Sequence, residues 1–430
     1  MIKIGIWMLI ETGFETEMSD LVVEKPRLYS LRWKLGFGGS ISGGPTVHEN
    51  VVYFGALDHY LYAVDLKTKK EKWRFKGNDA FVESIPLIRD GVLCVGCSDG
   101  NLYAIDRESG EEVFHFKTGG EICMTVLIEN NVIYFGSRDH NIYAIDSKTG
   151  EEKWRFRTGG DVVSSAVTEG DKLFIGSYDG NMYCLDKKSG EEIWRFQTGG
   201  CIINFIPPLI YNSVIYFGSN DYNFYAVDTN NGKELWRFRT KGWVCNRAVI
   251  YDGMIFFGSS DHNFYAVDLE TKREKWRFQT EGRVGDQKPP IHNEMIYIGS
   301  GDGNLYALDV STGKEKWRFK TGGGIFSTPF LHEGILYFGS YDCHMYGVDA
   351  MEGRETFRFQ TSSNAQSTVE LFEQLPVELK PLEKDREGKE NEFYRFGIPR
   401  LNFSESEYTQ GVQYAIKNIY GAGRKKYDQI

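Results

Sequence analysis

Proline is scarce in this 430-residue chain, with 11, and cysteine scarcer, with 7. So few prolines mean that the 48 glycines do not belong to a disordered proline–glycine tract. The cysteines stand at 94, 97, 123, 184, 201, 245 and 343, never side by side, and an odd number cannot all pair. That scatter is the pattern of thiols kept reduced, so a cytoplasmic address is expected. The one close pair, Cys94 and Cys97 in LCVGCSDG, has no second Cys-x-x-Cys to complete a zinc site. On a strand the two point to opposite faces, so both are expected as small core residues.

A basic balance is also missing. Lys and Arg total 50 against 60 Asp and Glu, a formal charge of −10. No nucleic-acid footprint and no attraction to an anionic membrane are expected from this. No run reaches the roughly 18 apolar residues that span a bilayer. The opening MIKIGIWMLIETGFETEMSD imitates a secretory signal. Its apolar run is at the short end, acids follow at once, and no small-x-small site appears. Met18 is an alternative start, and no cysteine before 94 offers a lipid anchor. Residues 1–28 are therefore read as an N-terminal extension.

What the chain has is glycine, aromatics (15%) and a repeat. Aligned on a WRF-like triplet, the anchors are Trp33, Trp73, Phe114, Trp154, Trp194, Trp236, Trp276, Trp317 and Phe357. Their spacing stays near 40, the mark of one supersecondary unit repeated. A second motif recurs eight times, its first aspartate at Asp58, Asp99, Asp139, Asp179, Asp221, Asp261, Asp302 and Asp342.

The unit reads as four strands. VIYFGS at 132–137 is β-branched and aromatic, DH before Asn is a hairpin signal, and NIYAID follows. KTG turns the chain into EEKWRF, and TGG breaks it before a first strand such as DVVSSAV. A helical solenoid of the same period is excluded by the glycine and β-branched content. Four short antiparallel strands cannot bury both sheet faces alone, and a ring of such units does.

Each unit also carries A-x-D-x-x-x-G-x-x-x-W, as in Ala144, Asp146, Gly150 and Trp154. The small residue leaves room for the indole, glycine serves the turn, and the aspartate accepts from turn amides. These residues resemble the quinoprotein-like repeat with its tryptophan-docking motif, over residues 31–360. The resemblance implies an all-β, eight-bladed propeller of four-stranded antiparallel blades, assigned here to residues 29–361. The pattern lapses at Phe114, at Lys69 and Lys272 in the glycine slot, and at Gly347 with Phe357. It also implies that an N-terminal strand completes the last blade. Both 29–36 and 355–360 suit that outer position.

Residues 362–430 read as a linker followed by a helix at 404–421. Ser404 and Glu407 form a capping box, Gly421 is a C-cap, and Tyr408, Val412, Ala415, Ile416 and Ile419 make one apolar stripe. The stripe suits either the propeller's own edge or a partner.

The resemblance raises three functions. Quinoprotein dehydrogenases hold pyrroloquinoline quinone and calcium in the central funnel, often with a disulfide between adjacent cysteines. This chain has no such pair and no long insertions between units, so no cofactor and no enzymatic activity are expected. The β-barrel assembly lipoproteins of bacterial outer membranes use the same minimal ring as a scaffold, which implies a protein partner. A ligand sensor is the third.

His59, His140 and His262 fill the turn slot that Gly100, Gly180 and Gly303 fill elsewhere, so they are expected as turn residues, not metal ligands. Arg74, Arg155, Arg195, Arg237, Arg277 and Arg318 recur by unit and are expected to pair with nearby acids. The informative positions are those where units differ. After the glycine pair, most units are small or neutral, whereas three consecutive units supply Asn204, Trp243, Asn246, Arg247, Arg283, Asp286 and Gln287. If the first strand lines a channel, these residues share one arc of its mouth. Arginine forks and a tryptophan face suit an anionic or sugar-like ligand.

Overall fold

Strand Val132–Gly136 (VIYFG) and strand Asn141–Asp146 (NIYAID) are apolar on both faces, because both lie inside a stack of sheets. With Leu127–Glu129 inside and Glu152–Arg157 outside they form one antiparallel blade, paired in sequence order. The computed structural model, which describes residues 21–22, 39–203, 207–244, 248–284, 288–361 and 380–381, contains eight such four-stranded sheets. They are numbered blades 1 to 8 here, from Thr46–Lys76 to Phe330–Gln360. The chain divides into two units: Gly39–Thr361, which holds the blades, and Met1–Gly38 with Ser362–Ile430. The described part of the second unit is one short antiparallel pairing, Leu21–Val22 with Lys380–Pro381. The expected helix at 404–421, the linker before it, and residues 29–36 with Trp33 lie outside the described residues.

Alternation along the strands joins each blade to both neighbours. Ile142 and Ala144 pack with Leu173, Ile175 and Tyr183 of blade 4, while Tyr143 and Ile145 pack with Leu102 and Ala104 of blade 2. Full burial of one such aliphatic chain contributes about 1.5–3 kcal/mol. Cys94 and Cys97 obey the same rule, since Cys94 faces the blade 2–3 cluster and Cys97 the blade 1–2 cluster.

Antiparallel order puts the first and third hairpin turns on one face of the ring and the second hairpin, with the connector to the next blade, on the other. The second hairpin needs a left-handed residue after its aspartate. Gly100 takes φ 83° there, and His59, His140 and His262 take 74°, 73° and 69°. Those histidines are turn residues, as their slot implies. At the opposite end of the blade, Asp146 accepts from the amides of Lys148 and Thr149, after a bulge that recurs in every blade.

One expectation is corrected. The first strand does not begin at the glycine pair: in DVVSSAV only Val167 belongs to strand Val167–Glu169. Residues 161–166 form a connector whose hydrogen bonds go to other segments, with Val162 N–H donating to Ser137 O and Ser164 Oγ to Ile202 O. Their compact path needs glycine at the strand it crosses, since a Cβ on Gly136 would lie 2.3 Å from Val162 Cγ1. The closing strand, which the repeat leaves open between 29–36 and 355–360, is placed as well. All four strands of blade 8 come from consecutive sequence, ending with Glu355–Gln360. The N-terminal end of this unit instead supplies the connector into blade 1: Ile41 N–H donates to Ser340 O, and Ile41 fills the notch at Gly339.

Candidate functional site

The hairpin face is built from a repeated latch. Asp139 Oδ2 accepts from Tyr143 Oη at 2.6 Å and from Gly119 N–H at 2.9 Å, so one carboxylate ties the incoming connector to the hairpin of the next blade. Asp99, Asp179, Asp221, Asp261, Asp302 and Asp342 do the same for their connectors. Burial pushes the Asp139 pKa up, but the hydrogen bonds from Tyr143, Gly119 and Asn141 outweigh it and hold the carboxyl below its usual range.

Beside the latch sit two slots that differ from blade to blade. The residue before each latch aspartate donates its backbone N–H to the carbonyl of a connector residue. The pairs are Leu57 with Ser40, Ser98 with Ala80, Arg138 with Glu121 and Tyr178 with Asp161. Around the other half they are Asn220 with Cys201, Ser260 with Trp243, Gly301 with Arg283 and Tyr341 with Gly324. The backbone bond is constant and the side chains are not. The latch holds these slots in place, so their side chains are free to vary without cost to the sheet.

Two residues of the sequence-derived arc fall in these slots. Trp243 is half-buried, its backbone N–H donating to Ser260 Oγ at 2.6 Å. Arg283 is half-buried with its guanidinium 4.9 Å from the centre of the Phe326 ring, and Phe326 lies 5.0 Å from Tyr341. Phe326 occupies the space left by Gly301 and Gly324, where a Cβ would meet its ring. Asn204, Asn246, Arg247, Asp286 and Gln287 lie outside the described residues. Among the described residues, the arc from Trp243 to Tyr341 thus carries one guanidinium, that of Arg283, and the three aromatic rings of Trp243, Phe326 and Tyr341.

Blades 3 and 4 present a charge network that the sequence reading missed. Arg138 bridges Glu121 (Nε to Oε2, 3.1 Å) and Asp161 (Nη1 to Oδ2, 3.3 Å), and His140 Nε2 stands 3.3 Å from Asp161 Oδ1. Burial raises the Glu121 pKa against the lowering field of Arg138. A signal is present in the sequence, because Glu121 and Asp161 occupy the slot of Trp243 and Arg283 and are charged where most units are small or neutral. Next to this network Cys123, Met124, Val163 and Ile203 pack together with Tyr178 and Cys201, an apolar layer under the connectors of blades 3 to 5. Burial pushes the Cys201 thiol up to about 11, and six described cysteines are thiols.

The recurrent arginines pair as expected. Arg155 Nε and Nη2 both donate to Glu152, at 2.7 and 2.6 Å, over the Tyr143 ring. Among the described residues, no three His, Cys, Asp or Glu side chains stand together as a metal site. Also among them, no helix is long and apolar enough to cross a membrane.

A family model described as outer membrane protein assembly factor BamB matches residues 30–127, 81–195, 138–241, 203–288 and 281–374. Sequence comparison with curated proteins gives no match. Among solved structures, the computationally designed Ika8 protein is similar at 16% identity and TM-score 0.63, over 76% of this chain and 98% of its own. BamB from Moraxella catarrhalis is similar at 16% identity and TM-score 0.61, over 70% and 94%. Quinohemoprotein alcohol dehydrogenase from Comamonas testosteroni is similar at 15% identity and TM-score 0.61, over 75% and 74%. At such identities these likenesses establish the propeller fold alone.

Proposed function

This chain belongs to the family of the outer membrane protein assembly factor BamB, and on that premise we propose that it is a non-catalytic scaffold that binds a protein partner at the hairpin face of its ring. One observation carries the reading. Sheet and latch positions repeat from blade to blade, whereas the paired slots that the latch holds beside it diverge into Trp243, Arg283, Tyr178 and the Arg138 network. Aromatic residues and arginine are the types that anchor protein interfaces. The docking tryptophans serve this role indirectly, by locking the blades that present the face. Reduced, largely buried cysteines support a cytoplasmic setting.

A photo-crosslinking residue placed at 243 or 138, compared with one at 188 on the opposite face, tests the proposal in the full chain. One partner captured at 243 and 138 but not at 188 supports it. Equal capture at all three positions overturns it.

A second reading is favoured by the charge and stacking at blades 6 to 8: a small anionic or sugar-like ligand seated between Trp243 and Arg283. Arg283→Gln would then abolish its binding without changing partner capture at 138. The quinone-dependent dehydrogenase alternative predicts dye reduction with an alcohol, added pyrroloquinoline quinone and calcium, and such activity would displace both.

A further inference from the structure

Seven large hydrophobic side chains are exposed among the described residues, and five of them, Ile193, Tyr211, Tyr222, Leu235 and Tyr251, belong to blades 4 to 6. Tyr222 is in a second hairpin. The other four lie on the opposite face, where the first and third turns of each blade emerge. Tyr211 and Tyr251 each end a first strand, and Ile193 and Leu235 each stand second in an outer strand. Sister blades are polar at these positions. His48, Arg89, Glu129 and Glu169 stand where Tyr211 does, and Lys72, Lys153, Lys275 and Lys316 where Leu235 does. Val113 repeats the second change on blade 2, but there the first-strand position holds Arg89.

Charge is missing at the same place. Blade 5 turns through Asn212–Ser213 and Thr229–Asn231, and among the eight it is the blade with no charged residue in either turn. Lys172 of blade 4 reaches the second of these turns and donates to Thr229 O and Asn230 Oδ1. The first exposed charge after that turn is Lys233, at the outer edge. Depleted charge with enriched aromatics marks the core of a protein interface, and tyrosine with asparagine and serine adapts to many surfaces.

The flanking turns reverse one another in sign. After Asp186, the third turn of blade 4 has Lys188 in second place and Glu191 in fifth. After Asp268, blade 6 has Glu270 and Arg273 in those places. All four are exposed, and Lys188 Nζ also stands 3.4 Å from Asp171 of its own blade.

We propose that this face is the interface of a two-fold dimer, in which blade 5 of one copy meets blade 5 of a second. Two rings laid face to face about an axis along blade 5 run in opposite senses. Blade 4 therefore meets blade 6 of the second copy, and Lys188 comes opposite Glu270 and Glu191 opposite Arg273, each pair made twice by symmetry. An uncharged centre does not repel its own copy, and flanks of reversed sign fix the register. A foreign partner has no need of that reversal, whereas self-recognition does. Gly39 and Thr361, where the chain enters and leaves the blade unit, meet on the hairpin face, away from this interface.

Sedimentation velocity of the full chain between about 1 and about 100 μM tests the dimer. The parent should pass from the mass of one chain to twice that mass. Tyr211→Ser with Leu235→Ser should keep it monomeric, and Val113→Ser should change nothing. Lys188→Glu should weaken association about tenfold, and adding Glu270→Lys should restore it to within about threefold of the parent. Circular dichroism of each variant checks the fold, which these exposed positions should leave intact. A photo-crosslinking residue at 188 should join the chain to blade 6 of a second copy. That product differs in mass from a partner captured at 243 or 138, so this result is read separately from the hairpin-face proposal. A parent that stays monomeric at the highest concentration overturns the dimer. So does association that survives the loss of Tyr211 and Leu235, or a charge swap that fails to restore it.

Discussion

The indole N–H of Trp194 donates to the backbone carbonyl of Thr229 in the next blade, at 3.2 Å, while the ring lies against the turn glycine Gly232. The tryptophan is half-buried, not enclosed, because its outer edge forms the rim of the ring. Trp194→Phe keeps most of the packing and loses the hydrogen bond, so a cost of about 0.5–1.5 kcal/mol is expected. Trp194→Ala also loses the ring and should cost about 2–4 kcal/mol, below the range for fully buried tryptophan. Urea unfolding of both variants measures the difference.

The other partner of that contact makes a sharper prediction. Gly232 sits at φ 69°, and an added Cβ would lie 2.8 Å from Trp194 Cδ2. Gly232→Ala therefore combines backbone strain with a clash and should destabilise by about 2–4 kcal/mol. In the double variant with Trp194→Ala the clash has no partner. The two effects should fall short of additivity by more than the usual few tenths of a kcal/mol. Strict additivity would show that the indole does not rest on the turn.

Two of the latch aspartates contribute to the acid limit of the fold. Asp139 and Asp342 are both held below the ordinary carboxylate range by hydrogen bonds that outweigh burial. Their folded pKa is depressed, so their contribution is complete above the unfolded value near 3.9 and is lost as pH falls through the lower folded value. Stability should be flat in these groups above about pH 5 and fall steeply below about pH 4. Asp139→Asn should flatten that fall and cost about 1–3 kcal/mol at neutral pH.

How legible this molecule was depends on whether a residue serves its own sheet or its neighbour. The eight sheets, the strands and the turns follow from local patterns, since Val132–Gly136 or Asn141–Asp146 declares itself by composition and by the Asp-His-Asn turn between. The opposite burial of Cys94 and Cys97 follows from alternation alone. The connectors read as strands because Val162 and Val163 are β-branched and run on into Val167. Their bonds to Ser137 and Ile202 join segments that no local window connects. Closure was undecidable for the same reason, since the Thr361–Gly39 contact spans the whole ring. Of the expected arc, Trp243 and Arg283 stand out in the sequence because they break the repeat in residue type. The Arg138 network escaped because its members are ordinary surface residues until the latch brings Glu121 and Asp161 to either side of one guanidinium.

Tyr222 offers a stabilising test of the hairpin. It occupies the left-handed slot at φ 72°, where Gly100, Gly180 and Gly303 stand in sister blades, and its side chain is exposed. A left-handed L-residue costs about 1–2 kcal/mol, partly offset by the larger unfolded-state freedom of glycine. Tyr222→Gly should raise stability by about 0.5–1 kcal/mol. The same change at His140 should gain less, because it removes the contact with Asp161. Thermal unfolding of the two variants side by side gives the order, and a larger gain at His140 would mean that its contact with Asp161 contributes nothing.

Arg138 gives the sharpest test of the charge network, because its effect must depend on pH with a known sign. Its side chain and those of Glu121 and Asp161 are 16%, 18% and 11% exposed, so water screens them poorly. Arg138→Met keeps much of the stem's packing and removes the cation between two carboxylates. Breaking a largely buried ion pair in this way costs about 3–5 kcal/mol when the remaining acids stay charged. Burial already raises the Glu121 pKa, and Arg138 is the group that opposes it. Without that cation the folded pKa of Glu121 rises further above its unfolded value. A carboxyl shifted in this direction destabilises the folded state as pH rises, because folding then favours the protonated form. The deficit of Arg138→Met against the parent should therefore be larger at pH 8 than at pH 5. Adding Glu121→Gln should remove most of that pH dependence, since no carboxylate then remains at 121 to be stranded. Urea midpoints of the parent, the single and the double variant at the two pH values decide it. A deficit that is equal at both, or greater at pH 5, would mean that Arg138 acts through packing and not through charge.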